Sequence, residues 1–92
     1  MTLNGHAPTT GMEFPCTISI KVFVRATDNL ESLLREIIVA TIAEHDLLEI
    51  NSRLSRKGRY QSFSCKIRAS DRKALDAVFT GLSQHPDVLI VI

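Results

Sequence analysis

Residues 16–25 read Cys-Thr-Ile-Ser-Ile-Lys-Val-Phe-Val-Arg, and their alternation decides the fold class. Cys16, Ile18, Ile20, Val22 and Val24 share one parity, against Thr17, Ser19, Lys21 and Arg25 on the other. Successive side chains of a strand point to opposite sides of a sheet, so a period of two rich in β-branched residues marks a strand with one buried face. Phe23 departs from the pattern by placing a ring on the polar side.

Such a strand needs partners and cover, and the residues that follow offer both. Asp28 stands where a helix N-cap is wanted, with Glu31 three residues on, as a reciprocal capping pair requires. Leu30, Leu33, Leu34, Ile37, Ile38, Thr41 and Ile42 then recur at three- and four-residue intervals, which predicts a helix with one wide apolar stripe ending near residues 44–46. Leu48, Ile50 and Leu54 share a parity opposite Glu49, Asn51 and Arg53, the pattern of a second strand at a sheet edge. Residues 56–59, Arg-Lys-Gly-Arg, read as a tight turn in which Gly58 supplies a positive φ. A third strand runs to about Ala69, with Phe63, Cys65, Ile67 and Ala69 inward and Tyr60, Ser62, Ser64, Lys66 and Arg68 outward. Ser70 is placed to cap a second helix whose Leu75, Val78, Phe79 and Leu82 occupy i, i+3, i+4 and i+7. Gly81 weakens its last turn, Pro86 prevents its continuation, and residues 88–92 form a final apolar strand.

The order strand–helix–strand–strand–helix–strand gives two nested right-handed crossovers. The expected fold is α+β and ferredoxin-like (βαββαβ), a four-stranded antiparallel sheet of order 4-1-3-2 with both helices on one face. Residues 13–92 are expected to form a single domain, since 92 residues cannot build two cores. Residues 1–12, with Asn4, Gly5, Pro8 and Gly11, read as a flexible N-terminal tail.

Composition excludes several classes. At 45% hydrophobic and 23% charged, the chain is too apolar for disorder. Its longest apolar-leaning stretch, 37–43, is broken by Thr41 and is far short of the roughly 20 residues of a membrane span. The N-terminus lacks the basic start and apolar run of a secretory signal, so a cytoplasmic location is expected. The net charge of +1 is uneven: residues 1–46 carry three cations against six anions, and residues 47–92 carry eight against four. Cys16 and Cys65 match no metal or redox spacing and are expected to be free core thiols.

From Glu13 to Ile92 the chain resembles the small bacterial YbeD family. The resemblance rests on Phe14-Pro15, on Ile20-Lys21-Val22, on Ser55, Lys57-Gly58, Tyr60 and Ser62 around the hairpin, and on His85-Pro86 and Val88 before a hydrophobic terminus. It departs at Val24, where members often carry Gly. The resemblance implies a bacterial, cytoplasmic protein with a fold similar to amino-acid-binding regulatory domains and no assigned enzyme activity.

No constellation suits catalysis. The neighbouring carboxylates Asp28 with Glu31 and Asp71 with Asp76 are explained by helix capping and solvation. No local spacing brings His6, His45 or His85 beside a serine or cysteine. No cofactor and no metal site are expected. The outward parity says more. Lys21, Phe23 and Arg25 should lie beside Tyr60, Lys66 and Arg68, and Leu89 and Val91 should point to the same open side near Phe23. An exposed apolar strip beside an unpaired edge predicts self-association or a docked partner, unless the segment around Phe14 folds back over it. The basic turn Arg56, Lys57, Gly58 and Arg59 is a candidate anion site, using its backbone amides and three cations. These residues favour a non-catalytic regulatory or protein-interaction module, homodimeric or bound to a partner protein. Small-anion or amino-acid sensing is one alternative. RNA binding through Phe23, Tyr60, Lys66 and Arg68 is a second and disfavoured one, since Phe63 falls on the buried parity and leaves two adjacent stacking rings missing.

Overall fold

The first strand, β1, occupies Cys16–Arg25 and lies at the centre of the molecule in the computed structural model, which describes residues 13–92. The tail expected at residues 1–12 lies outside the described residues. After β1 come helix α1 (Leu30–Val39), a 3-10 turn (Glu44–Asp46), strands β2 (Leu47–Leu54) and β3 (Tyr60–Ala69), helix α2 (Arg72–Ser83) and strand β4 (Val88–Val91). The sheet order is β2-β3-β1-β4, the expected ferredoxin-like arrangement read from its other edge. All three pairings are antiparallel.

The parity read from β1 holds. Ile20, Val22 and Val24 are fully buried, and their register partners Cys65, Phe63 and Gln61 lie on the same side. Leu30, Leu34 and Ile38 of α1 and Leu75, Val78, Phe79 and Leu82 of α2 close over them in one core cluster. Both helices therefore cover one face of the sheet. They approach closely at Gly81, where a Cβ would lie 3.2 Å from Ile37 Cγ2. The smallness of this residue permits the contact, at a cost in helix propensity. Phe14 packs against the same core, so its side chain does not cover the opposite face.

Local details differ from expectation in four places. Asp28 does not cap α1. The N-cap position is Asn29, in the left-handed region at φ 63°, with no side-chain cap bond. Asparagine tolerates that conformation, and the turn takes the place of the expected capping pair. Glu31 lies 3.9 Å from Arg35 instead. The helix also stops at Val39, several residues early. A run of β-branched residues weakens it there, and the Thr41 hydroxyl donates to the Ile38 carbonyl at 2.9 Å, competing with further helical turns. In α2 the cap is Asp71, whose carboxylate accepts from the Ala74 amide at 2.8 Å, and Ser70 is bypassed.

The fourth difference lies in the two outer strands, each of which carries an extra residue. Leu47 pairs with Ile67 and Glu49 with Lys66, so Leu48 is a bulge and is 48% exposed, while Leu47 takes the buried place. In β4, Val91 pairs with Val22, Ile90 with Phe23 and Val88 with Val24, which leaves Leu89 as the extra residue. A bulge shifts the alternation by one. Val88 and Val91 therefore pack against the core.

Candidate functional site

The side of the sheet opposite the helices, open among the described residues, is built from the polar parity of β1 and β3. Phe23 is opposite Ser62, Lys21 opposite Ser64 and Arg25 opposite Tyr60 in the pairing register. Phe23 and Tyr60 are thus diagonal neighbours on adjacent strands, within reach of one another's rings. Arg53 of β2 is opposite Ser62 on the far side of β3 and completes the row. Lys66 and Arg68 continue the basic surface along β3, and both are exposed.

β4 supplies the apolar part of this face with residues other than those expected. Because of the bulge, Val91 is half-buried on the helix side, and Leu89 is exposed at the irregularity rather than beside Phe23. Ile90, 53% exposed, is the residue opposite Phe23, and Ile92, 48% exposed, exchanges both backbone hydrogen bonds with Lys21. The apolar strip is real, one residue out of register. Strict alternation could not reveal it, since a bulge depends on pairing geometry and leaves no mark in the local pattern.

A shallow cleft of about 160 Å³ opens on this face, lined by Phe23, Arg53, Leu54, Ser55, Tyr60, Gln61 and Ser62. A second of about 340 Å³ lies against the hairpin, between Ser55, Arg56, Lys57, Arg59 and Tyr60. Ser55 and Tyr60 line both, so the sheet face and the basic turn are one continuous surface. The turn itself is tightly made. Gly58 has φ 75° and its amide donates to the Ser55 carbonyl at 2.9 Å, while the Tyr60 amide donates to Ser55 Oγ at 3.1 Å. Those two amides are already satisfied, so the loop offers an anion its cationic side chains and not a full nest of free backbone N–H groups.

Charge is strongly segregated. Lys21, Arg25, Arg53, Lys66 and Arg68 on the sheet, with Arg56, Lys57 and Arg59 in the hairpin, make eight of the eleven cations of the chain. Of its ten carboxylate side chains only Glu49 lies on this surface, and its carboxylate accepts from Asn51 Nδ2 at 2.6 Å. The other nine carboxylates and three cations belong to the helices and connecting segments. Asp46 reaches across from the 3-10 turn to within 3.9 Å of Arg68. Among the described residues Lys21, Arg25, Arg53 and the three hairpin cations make no ion pair. The Arg25 guanidinium donates to the Pro86 carbonyl at 3.3 Å, which holds it at the base of β4.

Several of the remaining chemistry-bearing groups have structural partners. Asp71 caps α2, Asp76 lies 3.9 Å from Arg72 along the helix, and His85 Nδ1 accepts from the Asp87 amide at 3.1 Å. His45 is exposed beside Asp46, and His6 lies outside the described residues. Cys65 is buried, and that burial pushes its thiol up to about 11, the nearby Arg35 guanidinium offsetting only part of the effect. Its register partner is Ile20, four residues along β1 from Cys16, so the two thiols stand about 13 Å apart, beyond the reach of a disulfide. Among the described residues no group of three or more His, Cys, Asp or Glu side chains could hold a metal ion, and no helix is long and apolar enough to cross a membrane.

Two helices on one side of a 2-3-1-4 antiparallel sheet place the chain among ferredoxin-like α+β domains. The solution structure of protein HP0495 from H. pylori has this fold, with a TM-score of 0.68 over 97% of this chain and 98% of that one at 19% identity. Residues 9–92 match the family described as "Protein of unknown function (DUF493)", and the chain belongs to it. Among its relatives are a UPF0250 protein of Janthinobacterium sp. (strain Marseille), 33% identical over 88% of this chain and 89% of the relative. A UPF0250 protein of Nitrosomonas europaea is 28% identical over 88% of this chain and 93% of its own length. The YbeD-like small bacterial family read from the scattered hairpin and strand motifs is this one.

Proposed function

We propose that the protein is a non-catalytic interaction module that docks a partner protein on the open face of its sheet. One observation carries the reading. Phe23, Ile90 and Ile92 stand together on the open face, next to Tyr60 and amid cations of which, among the described residues, only Arg68 has a carboxylate partner. Apolar side chains in such a cluster are stabilised by burial against another molecule, and cations left unpaired in the free protein are available to it. The same charges act against face-to-face self-association, because two copies would bring like charges together. Self-association is better served by the outer edge of β4, whose backbone can pair with a second strand.

A photo-crosslinking side chain at Ser62, beside Phe23 and the cleft, tests this in cells. Docking predicts a covalent adduct with a protein, absent when the same group is placed at Ser83 at the far end of α2. An adduct of twice the chain mass would assign the face to self-association, and no adduct at Ser62 would contradict docking.

A second reading, small-anion or amino-acid sensing, is favoured by the cleft against Arg56, Lys57 and Arg59. A ligand that binds only the native state raises the melting temperature, because it stabilises by RT ln(1 + [L]/Kd). A metabolite panel without any shift would remove it. RNA binding has less support, since Phe63 is buried and only Phe23 and Tyr60 remain as stacking rings.

A further inference from the structure

Resting on that docking reading, we infer that the segment bound by the open face is acidic and carries one bulky apolar side chain that seats between Phe23 and Tyr60. Size sets the anchor. The cleft of about 160 Å³ at Phe23, Arg53, Leu54, Tyr60 and Ser62 compares with the roughly 150 Å³ engineered cavity that accepts a benzene ring in a protein core. One phenyl or aliphatic side chain fills it, and its aromatic and leucine walls reward apolar contact.

Charge sets the flanks. The chain as a whole carries +1, yet eight of its eleven cations and one of its ten anions lie on this sheet face and hairpin. Arg53 lines the anchor cleft itself, and Tyr60 connects it to the cleft of Arg56, Lys57 and Arg59. Carboxylates on either side of a seated apolar group therefore meet the guanidinium and ammonium groups of Arg53, Arg56, Lys57 and Arg59, which make no ion pair among the described residues. A second copy presents the same cations and is repelled. A single-stranded RNA satisfies the cations but leaves Ile90 and Ile92 uncovered and finds only two rings. An acidic segment with an apolar anchor satisfies both halves of the surface.

Fluorescent dodecapeptides provide the test: a glutamate-rich peptide with a central Phe, the same peptide with Ser for Phe, and the same peptide with Lys for every Glu. The first binds the full chain. Its affinity falls about tenfold or more between roughly 0.05 M and 0.3 M salt, because rim charges are screened. Ser in place of the anchor weakens binding about tenfold or more. Arg53→Glu in the protein, at an exposed position that leaves the far-ultraviolet spectrum unchanged, weakens it by a similar factor. Equal binding of the lysine peptide, tighter binding of a poly-uridine strand, or no binding of the acidic peptide at millimolar concentration overturns the inference. The Ser62 adduct separates this failure from that of docking itself. An adduct mapped to a neutral or basic segment refutes the acidic partner and leaves docking standing, whereas no adduct refutes docking.

Discussion

The two faces of one sheet differ more than any two elements of the protein, although each residue on one face is a chain neighbour of a residue on the other. Val22 and Val24 are fully buried beneath the helices, while Phe23 between them faces outward across from Ile90. Phe63 is 1% exposed on the covered face, and Tyr60, three residues earlier, is 50% exposed on the open one. The contrast separates two jobs that a single strand performs at once. The covered parity holds the fold together through apolar burial, and the open parity carries the cations and rings of the proposed docking surface.

Substitutions can break this contrast in decreasing order of effect. Phe63→Ala removes a buried ring from the middle of β3 and should cost about 3–5 kcal/mol in urea unfolding. Phe23→Ser should change stability by less than about 1 kcal/mol and abolish partner capture, so equal losses of stability from the two would erase the distinction. Gly81→Leu drives a side chain into Ile37 and should cost about 1–3 kcal/mol, read by the same titration.

The buried thiol gives a pH signature of the covered face. Cys65 is raised from 9.0 to about 11 in the folded chain, so the native state holds its proton more tightly than the unfolded one. Its contribution is complete below pH 9 and is lost as pH rises toward 11, a loss on the order of 2 kcal/mol that Cys65→Ala should remove. Denaturation at stepped pH measures it, and an unchanged slope in the variant would place the thiol in water. At the small end, Asp71→Ala should cost about 1 kcal/mol by removing the cap on Ala74, whereas Asp28→Ala and Ser70→Ala should cost less than about 0.5 kcal/mol. Thermal melts of the three single variants rank them.

Much of this contrast was legible in the residues alone. Alternation in β1, interrupted in character only by the ring of Phe23 on the polar side, assigned its side chains to their faces, and the i, i+3, i+4, i+7 spacing of Leu75, Val78, Phe79 and Leu82 named the buried side of α2. The outer strands were less readable. In 88–92 every residue is apolar, so parity had to be assumed, and the bulge at Leu89 moved Ile90 and Ile92 to the open face in place of Leu89 and Val91. In β2, two adjacent leucines competed for one inward place, and the bulge gave it to Leu47. Helix ends failed for a related reason. Asp28, Asn29, Ser70 and Asp71 are all competent caps, and backbone geometry chooses among them. The basic side of the sheet was legible as well: counting along the chain gives two unequal halves, yet the parities of β1 and β3 already set Lys21 and Arg25 from the acidic half beside the cations of β3, as the pairing register has them.

Amide chemical-shift mapping of the isotope-labelled chain, titrated with the acidic peptide, bears most directly on docking through the open sheet. Shifts centred on Lys21, Phe23, Arg53, Tyr60, Ser62 and Ile90, with α1 and α2 unmoved, are the expected result. Shifts centred on Glu31 to Ile38 or on Arg72 to Leu82 would put the partner on the helices and contradict it.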